Sequence, residues 1–309
     1  MKIAIVFPGQ GSQRQGMLQG FAESPTVRDT MLEASNALGQ DLWQMIEAGP
    51  PEELNATVNT QPVMLASAYA MYRAWEVAGG PRAEVMAGHS LGEYTALVAA
   101  GALAFADAVP LVRFRAQAMQ EAVPMGTGAM AVVMGLDADA VRAVCAEAAQ
   151  GDVVEAVNFN DATQIVIAGL KPAVERACIL AKERGAKRAL PLPVSAPFHS
   201  SLLRPAADRL REHLAATVVR APTIPVIHNV DVATHNEPGE IRIALAQQAA
   251  SPVRWVETVQ AMVALGATHV IEIGPGKVLQ GMVKRIAPQV MALAVADAES
   301  LKSTLEALA

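Results

Sequence analysis

Two cysteines in 309 residues leave no basis for a disulfide framework. Cys145 and Cys178 each fall in a segment of helical periodicity, with no His or Cys at metal-ligand spacing, and they read as small buried side chains in a reducing compartment. Basic residues are not in excess either. With 24 Lys and Arg against 30 Asp and Glu, the net charge is −6, which argues against a nucleic-acid surface. The longest uncharged apolar run, Ala96 to Ala106, is too short to span a bilayer. The apolar start Met1 to Phe7 leads directly into Pro8-Gly9-Gln10-Gly11 with no cleavage-site pattern, so a secretory leader is not expected. These absences predict a cytoplasmic protein with neither membrane nor nucleic acid as partner. Two phosphate-binding patterns are also missing. Arg14 occupies the place of the third glycine of a dinucleotide fingerprint, and around Gly276-Lys277 the P-loop positions hold Ile271 for glycine and Val278 for Ser/Thr. There is no internal repeat and no low-complexity tract.

What remains is 52% apolar and 17% charged, the composition of a compact enzyme-like chain long enough to bury a substantial core. The most informative stretch is Val85-Met86-Ala87-Gly88-His89-Ser90-Leu91-Gly92-Glu93-Tyr94. A short apolar strand runs into Gly88, the chain reverses at Ser90, and an Ala/Leu/Val-rich helical segment follows Gly92. A G-x-S-x-G turn between strand and helix is a nucleophile elbow. Glycine is needed on both sides because a side chain would collide with a neighbouring element, and the strained turn lifts the serine hydroxyl to its tip. The helix that follows aims free N–H groups and its positive dipole end at the atom the serine attacks.

The order of elements predicts two units. A buried strand over residues 2 to 7 ends in Pro8-Gly9-Gln10-Gly11-Ser12-Gln13, the edge where open α/β sheets bind ligands; the backbone amides and the Gln10 side chain are possible donors, though a plain Gly-rich turn is an alternative. Residues 25 to 80 are helical, broken at Gly49-Pro50-Pro51 and restarted at Gln61-Pro62. After the elbow comes a helix from about Ala106 to Val123, then a break at Pro124 to Gly128. From there the order is strand (Ala129 to Met134), helix (Asp137 to Ala149), strand (Val153 to Phe159), strand (Gln164 to Gly169), helix (Pro172 to Arg184) and strand (Lys187 to Leu190). That is the β-α-β-β-α-β order of a ferredoxin-like unit. The remainder predicts a strand over Ile224 to Asn229, helices over Glu240 to Ala250 and Pro252 to Leu265, a strand over His269 to Ile273, and a turn and a helix after it. The fold expected is α/β, with a large α/β-hydrolase-like domain of mostly parallel sheet (residues 1–125 and 196–309) and a ferredoxin-like small domain inserted at 126–195.

A serine needs a base to take its proton during attack, and histidine suits that task. Of the six histidines, His89 points away from an elbow, His213 lies in a charged helix, His235 in a polar loop, and His228 and His269 in or beside buried strands. His199 combines a proline-stiffened loop, a helix start and a position at the junction of the two units. The residues alone leave that choice open.

Four segments in the same order, Phe7-Pro8-Gly9-Gln10-Gly11-Ser12-Gln13, Gly88 to Tyr94, Val194-Ser195-Ala196-Pro197-Phe198-His199 and Glu272-Ile273-Gly274-Pro275-Gly276, resemble those of malonyl-CoA:acyl-carrier-protein transacylases over essentially the full chain. The resemblance implies an acyltransferase that moves a malonyl group from coenzyme A to the phosphopantetheine thiol of acyl carrier protein in fatty-acid or polyketide synthesis. It implies Ser90 as nucleophile, His199 as base and later acid, and the backbone amides of Gln10 and Leu91 as oxyanion hole. It also implies that Arg115 pairs with the malonyl carboxylate and that the backbone carbonyl of Gln248 orients the histidine. Malonyl-CoA and acyl carrier protein are then the partners, with no metal and no tightly bound cofactor. The competing expectation is a serine esterase on the same elbow, which predicts the order Ser, Asp/Glu, His with a late histidine and gives Arg115 no task.

Overall fold

A computed structural model describes residues 1–194 and 196–309; Ser195, within one of the segments quoted above and at the edge of the predicted small domain, lies outside the described residues. The chain opens with β1 (Ile3–Phe7), in which every residue is buried, as a strand covered on both faces must be. Four helices follow. They are α1 (Pro25–Leu38), with Ser24 as N-cap and Gly39 in the left-handed region at its end, α2 (Leu42–Ala48), α3 (Pro51–Asn55) and α4 (Thr57–Val77). The helix expected to restart at Gln61-Pro62 begins at Thr57. Asn59 and Thr60 donate to the carbonyls of Glu53 and Leu54 and so stitch the new helix to the preceding turn. Pro62 then forfeits only one hydrogen bond near the helix start.

Next come β2 (Val85–Gly88), α5 (Gly92–Ala99) and α6 (Phe105–Glu121). The small unit contributes β3 (Gly128–Met134), α7 (Ala138–Ala149), β4 (Val154–Asp161), β5 (Gln164–Leu170), α8 (Lys171–Glu183) and β6 (Arg188–Pro191). A short 3₁₀ helix, Ser201–Leu203, leads into α9 (Arg204–Ala216), and β7 (Val226–Ile227) and α10 (Pro238–Gln248) follow. The chain ends with α11 (Trp255–Ala264), β8 (His269–Ile273), α12 (Val278–Ile286), β9 (Met291–Val295) and α13 (Ala298–Leu308).

Three further departures from expectation concern β7, α11 and the C-terminal β9–α13 pair. β7 has two residues instead of six, because Pro225 lacks an N–H and the chain turns back at once, with the His228 N–H donating to the carbonyl of Ala233. α11 starts at Trp255 and not at Pro252, because Val253 is extended and bridges to β4: its N–H donates to Val157 O, and Phe159 N–H donates to its carbonyl. The last strand and helix, β9 and α13, have no counterpart in the elements expected from sequence; Asp297 and Ser300 cap α13 reciprocally.

The large sheet has five strands in the order β7-β2-β1-β8-β9, and every pairing is parallel. Register sets Phe7 beside Gly88, so the Pro8–Gln10 loop and the serine turn leave the sheet at the same edge. The small sheet is antiparallel in the order β4-β5-β3-β6. Counted within the unit this is second, third, first, fourth, the arrangement of a ferredoxin-like sheet. One face, including Ala131, Val133, Ile165 and Ile167, packs on Val141, Val144, Val174 and Ala177 of α7 and α8. The other face, with Met130, Val157, Val166 and Ala168, joins the main core. The two-residue period thus puts one side of the small sheet over the serine edge of the large one. Among the described residues, no helix is long and apolar enough to cross a membrane.

Candidate active site

Ser90 sits at φ 53, a left-handed conformation that is strained for a residue with a side chain. The two glycines are steric requirements. A Cβ on Gly88 would lie 1.8 Å from the backbone of Gly92, and one on Gly92 would lie 2.1 Å from the carbonyl oxygen of Phe7. The turn is braced from the segment just after β7, where Asn229 accepts from the Ser90 N–H (2.7 Å) and donates to the Gly88 carbonyl (2.8 Å).

The serine hydroxyl lies 2.7 Å from Nε2 of His199. His199, itself at φ 66, places Nδ1 2.9 Å from the carbonyl oxygen of Gln248. A carbonyl can only accept, so Nδ1 carries the proton and Nε2 presents its lone pair to the serine O–H. Burial, followed by the nearby Arg115 charge, pushes the imidazole down to about 3. It is therefore neutral near pH 7 and able to accept a proton.

Arg115 is 1% exposed. Its Nη1 donates to Gln61 Oε1 (2.8 Å), and its Nη2 donates to Gln248 Oε1 (2.8 Å) and to Ser90 Oγ (3.2 Å). A guanidinium has five N–H donors. Three are used, Nε has no partner, and no carboxylate contacts the group among the described residues. A buried cation in this state has unspent capacity for an acceptor carrying negative charge. Arg113 turns away to Gln40 and Asn59.

These side chains surround a cavity of about 120 Å³ lined by Gln10, Leu91 and Met130 among others. Neither the Gln10 nor the Leu91 backbone N–H has a protein acceptor among the described residues. The Gln10 side chain is 3.2 Å from Thr57 Oγ1. His89 reaches Asn160 (2.8 Å), and burial holds its pKa below the usual imidazole range. An open groove of about 620 Å³ along α1 and α2, near Arg28 and Trp43, is larger but has no nucleophile–base pair. Chemistry, not size, selects the serine cavity. No cluster of His, Cys, Asp or Glu suited to a metal occurs among the described residues.

The structure thus brings Ser90, His199, Arg115 and Gln248 into one hydrogen-bonded set, with Gln10 and Leu91 at the cavity wall. Sequence reasoning missed Glu93, Asn229 and Gln61, and it assigned Gln248 only its backbone carbonyl. Glu93 had a signal, since an acidic residue in an otherwise apolar helix start has to be buried with partners. Gln61 and Asn229 had none.

Residues 4–303 match the model of the acyl transferase domain family. The malonyl CoA-acyl carrier protein transacylase of Escherichia coli K12 is 53% identical over 306 residues, covering 99% of each chain. The solved acyl-carrier-protein S-malonyltransferase of Burkholderia pseudomallei superposes with a TM-score of 0.98 at 63% identity, covering 99% of this chain and 100% of that one. A malonyl-transacylase solved in complex with its type II PKS acyl-carrier protein superposes equally well, at 0.98 and 50% identity, with the same coverage.

Proposed function

The chain belongs to the acyl transferase family, and from that premise we propose that it transfers a malonyl group from coenzyme A to the phosphopantetheine thiol of acyl carrier protein through a malonyl-serine intermediate. Ser90 Oγ attacks the thioester carbonyl while His199 Nε2 takes the hydroxyl proton. The developing oxyanion is received by the free N–H groups of Gln10 and Leu91. As the carbonyl re-forms, the C–S bond breaks and His199 returns the proton to the departing coenzyme A thiolate. In the second half the carrier thiol loses its proton to His199 and attacks the ester, and Ser90 leaves with that proton. Every proton is accounted for by the chain's own residues, so we infer no requirement for a metal or a tightly bound cofactor. Coenzyme A and the carrier are substrates. The Gln248 carbonyl keeps the imidazole in the tautomer that both halves need.

One observation carries the malonyl assignment: Arg115 is buried, has no counter-ion in contact with it among the described residues, and lies within hydrogen-bonding distance of Ser90 Oγ. An acyl group with a free carboxylate, once on Ser90, provides that counter-ion. The esterase alternative lacks support from the late histidine it needs. His269 begins β8, at the end of the parallel sheet opposite to Ser90, and is held by Thr268.

The same reading takes residues 1–125 and 196–309 as the catalytic domain with 126–195 inserted, and places the reaction in the cytoplasm in fatty-acid or polyketide synthesis. A two-stage experiment tests the function. The enzyme is loaded with radiolabelled malonyl-CoA, freed of coenzyme A and chased with holo-carrier protein. Label is expected on the carrier; label released only as free malonate would favour the esterase.

A further inference from the structure

Glu93 is fully buried, three residues beyond Ser90 in the first turn of α5, and does not line the cavity. Its Oε2 accepts from the backbone N–H of Asn229 (2.9 Å) and from Gln248 Nε2 (2.8 Å), and its Oε1 lies 2.8 Å from His228 Nδ1. Gln248 Nε2 also donates to the Ser90 carbonyl (2.9 Å). These contacts decide which way the Gln248 amide faces. Turned over, it would set its oxygen against the Glu93 carboxylate and the Ser90 carbonyl, and its NH₂ against Arg115. In the orientation Glu93 dictates, Oε1 faces Arg115 Nη2. The other anchor of the guanidinium is softer, because among the described residues the amide nitrogen of Gln61 has only the sulfur of Met119, 4.0 Å away, as partner.

We propose that Glu93 is a positioning residue for acyl-group selection: by fixing the Gln248 amide it holds the Arg115 guanidinium where an acyl carboxylate can pair with it. This rests on the reading of Arg115 given above. The relay is separable from the base, since His199 uses the backbone carbonyl of Gln248 and not its amide.

The test compares kcat/KM for malonyl-CoA and acetyl-CoA in Glu93→Ala, Glu93→Gln, Gln248→Met, the Glu93→Ala/Gln248→Met double variant and Arg115→Ala. Losing the oriented acceptor is expected to lower the malonyl-to-acetyl ratio by roughly ten- to a hundred-fold in Glu93→Ala and in Gln248→Met. The double variant should fall no further than Gln248→Met, because both changes cut one chain. Glu93→Gln should restore the ratio, as its carbonyl oxygen can take the place of Oε2 while its NH₂ faces a His228 ring whose Nδ1 now accepts. Equal losses for both substrates, or additive effects in the double variant, would overturn the relay while leaving Arg115 in its role. An unchanged ratio in Arg115→Ala would remove that role and the relay with it. If Glu93→Ala does not fold, Gln248→Met decides alone, and an unchanged ratio there refutes the proposal.

Discussion

Arg115→Ala separates the recognition of the acyl group from the chemistry on it. On the proposed reading, the malonyl carboxylate of the acyl-enzyme would enter a cavity of about 120 Å³ and pair with Arg115, which is 1% exposed, so solvent screening would do little to weaken the pair. Breaking a buried ion pair by removing one member costs ~3–5 kcal/mol, because the other charge is left unpaired. Expressed as rate, kcat/KM for malonyl-CoA should fall by ~10²–10³-fold or somewhat more. The acetyl group brings no charge. For it the substitution deletes a group that pairs with nothing in the substrate and that, after burial, adds to the lowering of His199 below the usual imidazole range. Acetyl transfer should therefore hold or rise, and the preference should narrow or invert. The assay is kcat/KM for both thioesters in both proteins, with thermal unfolding as the folding control. Equal loss for the two substrates, or loss for neither, would show that Arg115 is not the carboxylate partner.

The remaining predictions concern the base, its pH dependence and the elbow. His199→Ala should lower the rate by roughly 10²–10⁴-fold with malonyl-CoA binding retained; pre-steady-state acylation measures it, and an unaffected acylation rate would exclude His199 as base. The folded imidazole is depressed, so protonation, and with it loss of activity, comes only well below the ordinary value of about 6.5. In Arg115→Ala the acid limb for acetyl-CoA should move to higher pH, because a neighbouring positive charge has been removed; an unmoved limb would contradict the electrostatic account. The same depression makes folding stability fall as pH drops from the unfolded imidazole's value towards about 3, since only the unfolded chain binds that proton. Gly92→Ala, whose Cβ would sit 2.1 Å from the Phe7 carbonyl oxygen, should destabilise by at least the ~1–3 kcal/mol typical of overpacking. An unchanged denaturation midpoint would mean that the elbow is not sterically fixed.

How far the sequence was legible follows from which residues act locally. The elbow could be read because a strand–Gly-x-Ser-x-Gly–helix pattern is local, although only Gly88 is demanded by a contact one turn away and Gly92 is demanded by the Phe7 carbonyl on β1. The small unit could be read because its strands and helices alternate with strong breaks at Pro124 to Gly128 and at the β4–β5 turn. The ends of β7 and α11 could not, because long-range partners decide them: Val253 is pulled out of helical geometry by β4, and Asn229 is spent on the serine turn. β9 lies beside β8, and a five-residue apolar segment with no alternation gives a weak local signal. In the site, a lone histidine or arginine has several possible environments, so His199 and Arg115 were singled out mainly by the resemblance of whole segments. Glu93, in an apolar helix start, signals burial with partners, but the network that joins it to Gln248 and, through Arg115, to Gln61 is assembled from α4, α5, α6 and α10, and no local pattern discloses those partners.

On the proposed mechanism, Ser90 carries the malonyl group between two thiols. Intact-mass analysis of the enzyme mixed with malonyl-CoA, followed by peptide mapping, tests it most directly. One malonyl adduct per chain is expected, located on the peptide containing Ser90, absent from Ser90→Ala and discharged by holo-carrier protein. An adduct on another residue, or acyl transfer by Ser90→Ala, would contradict it.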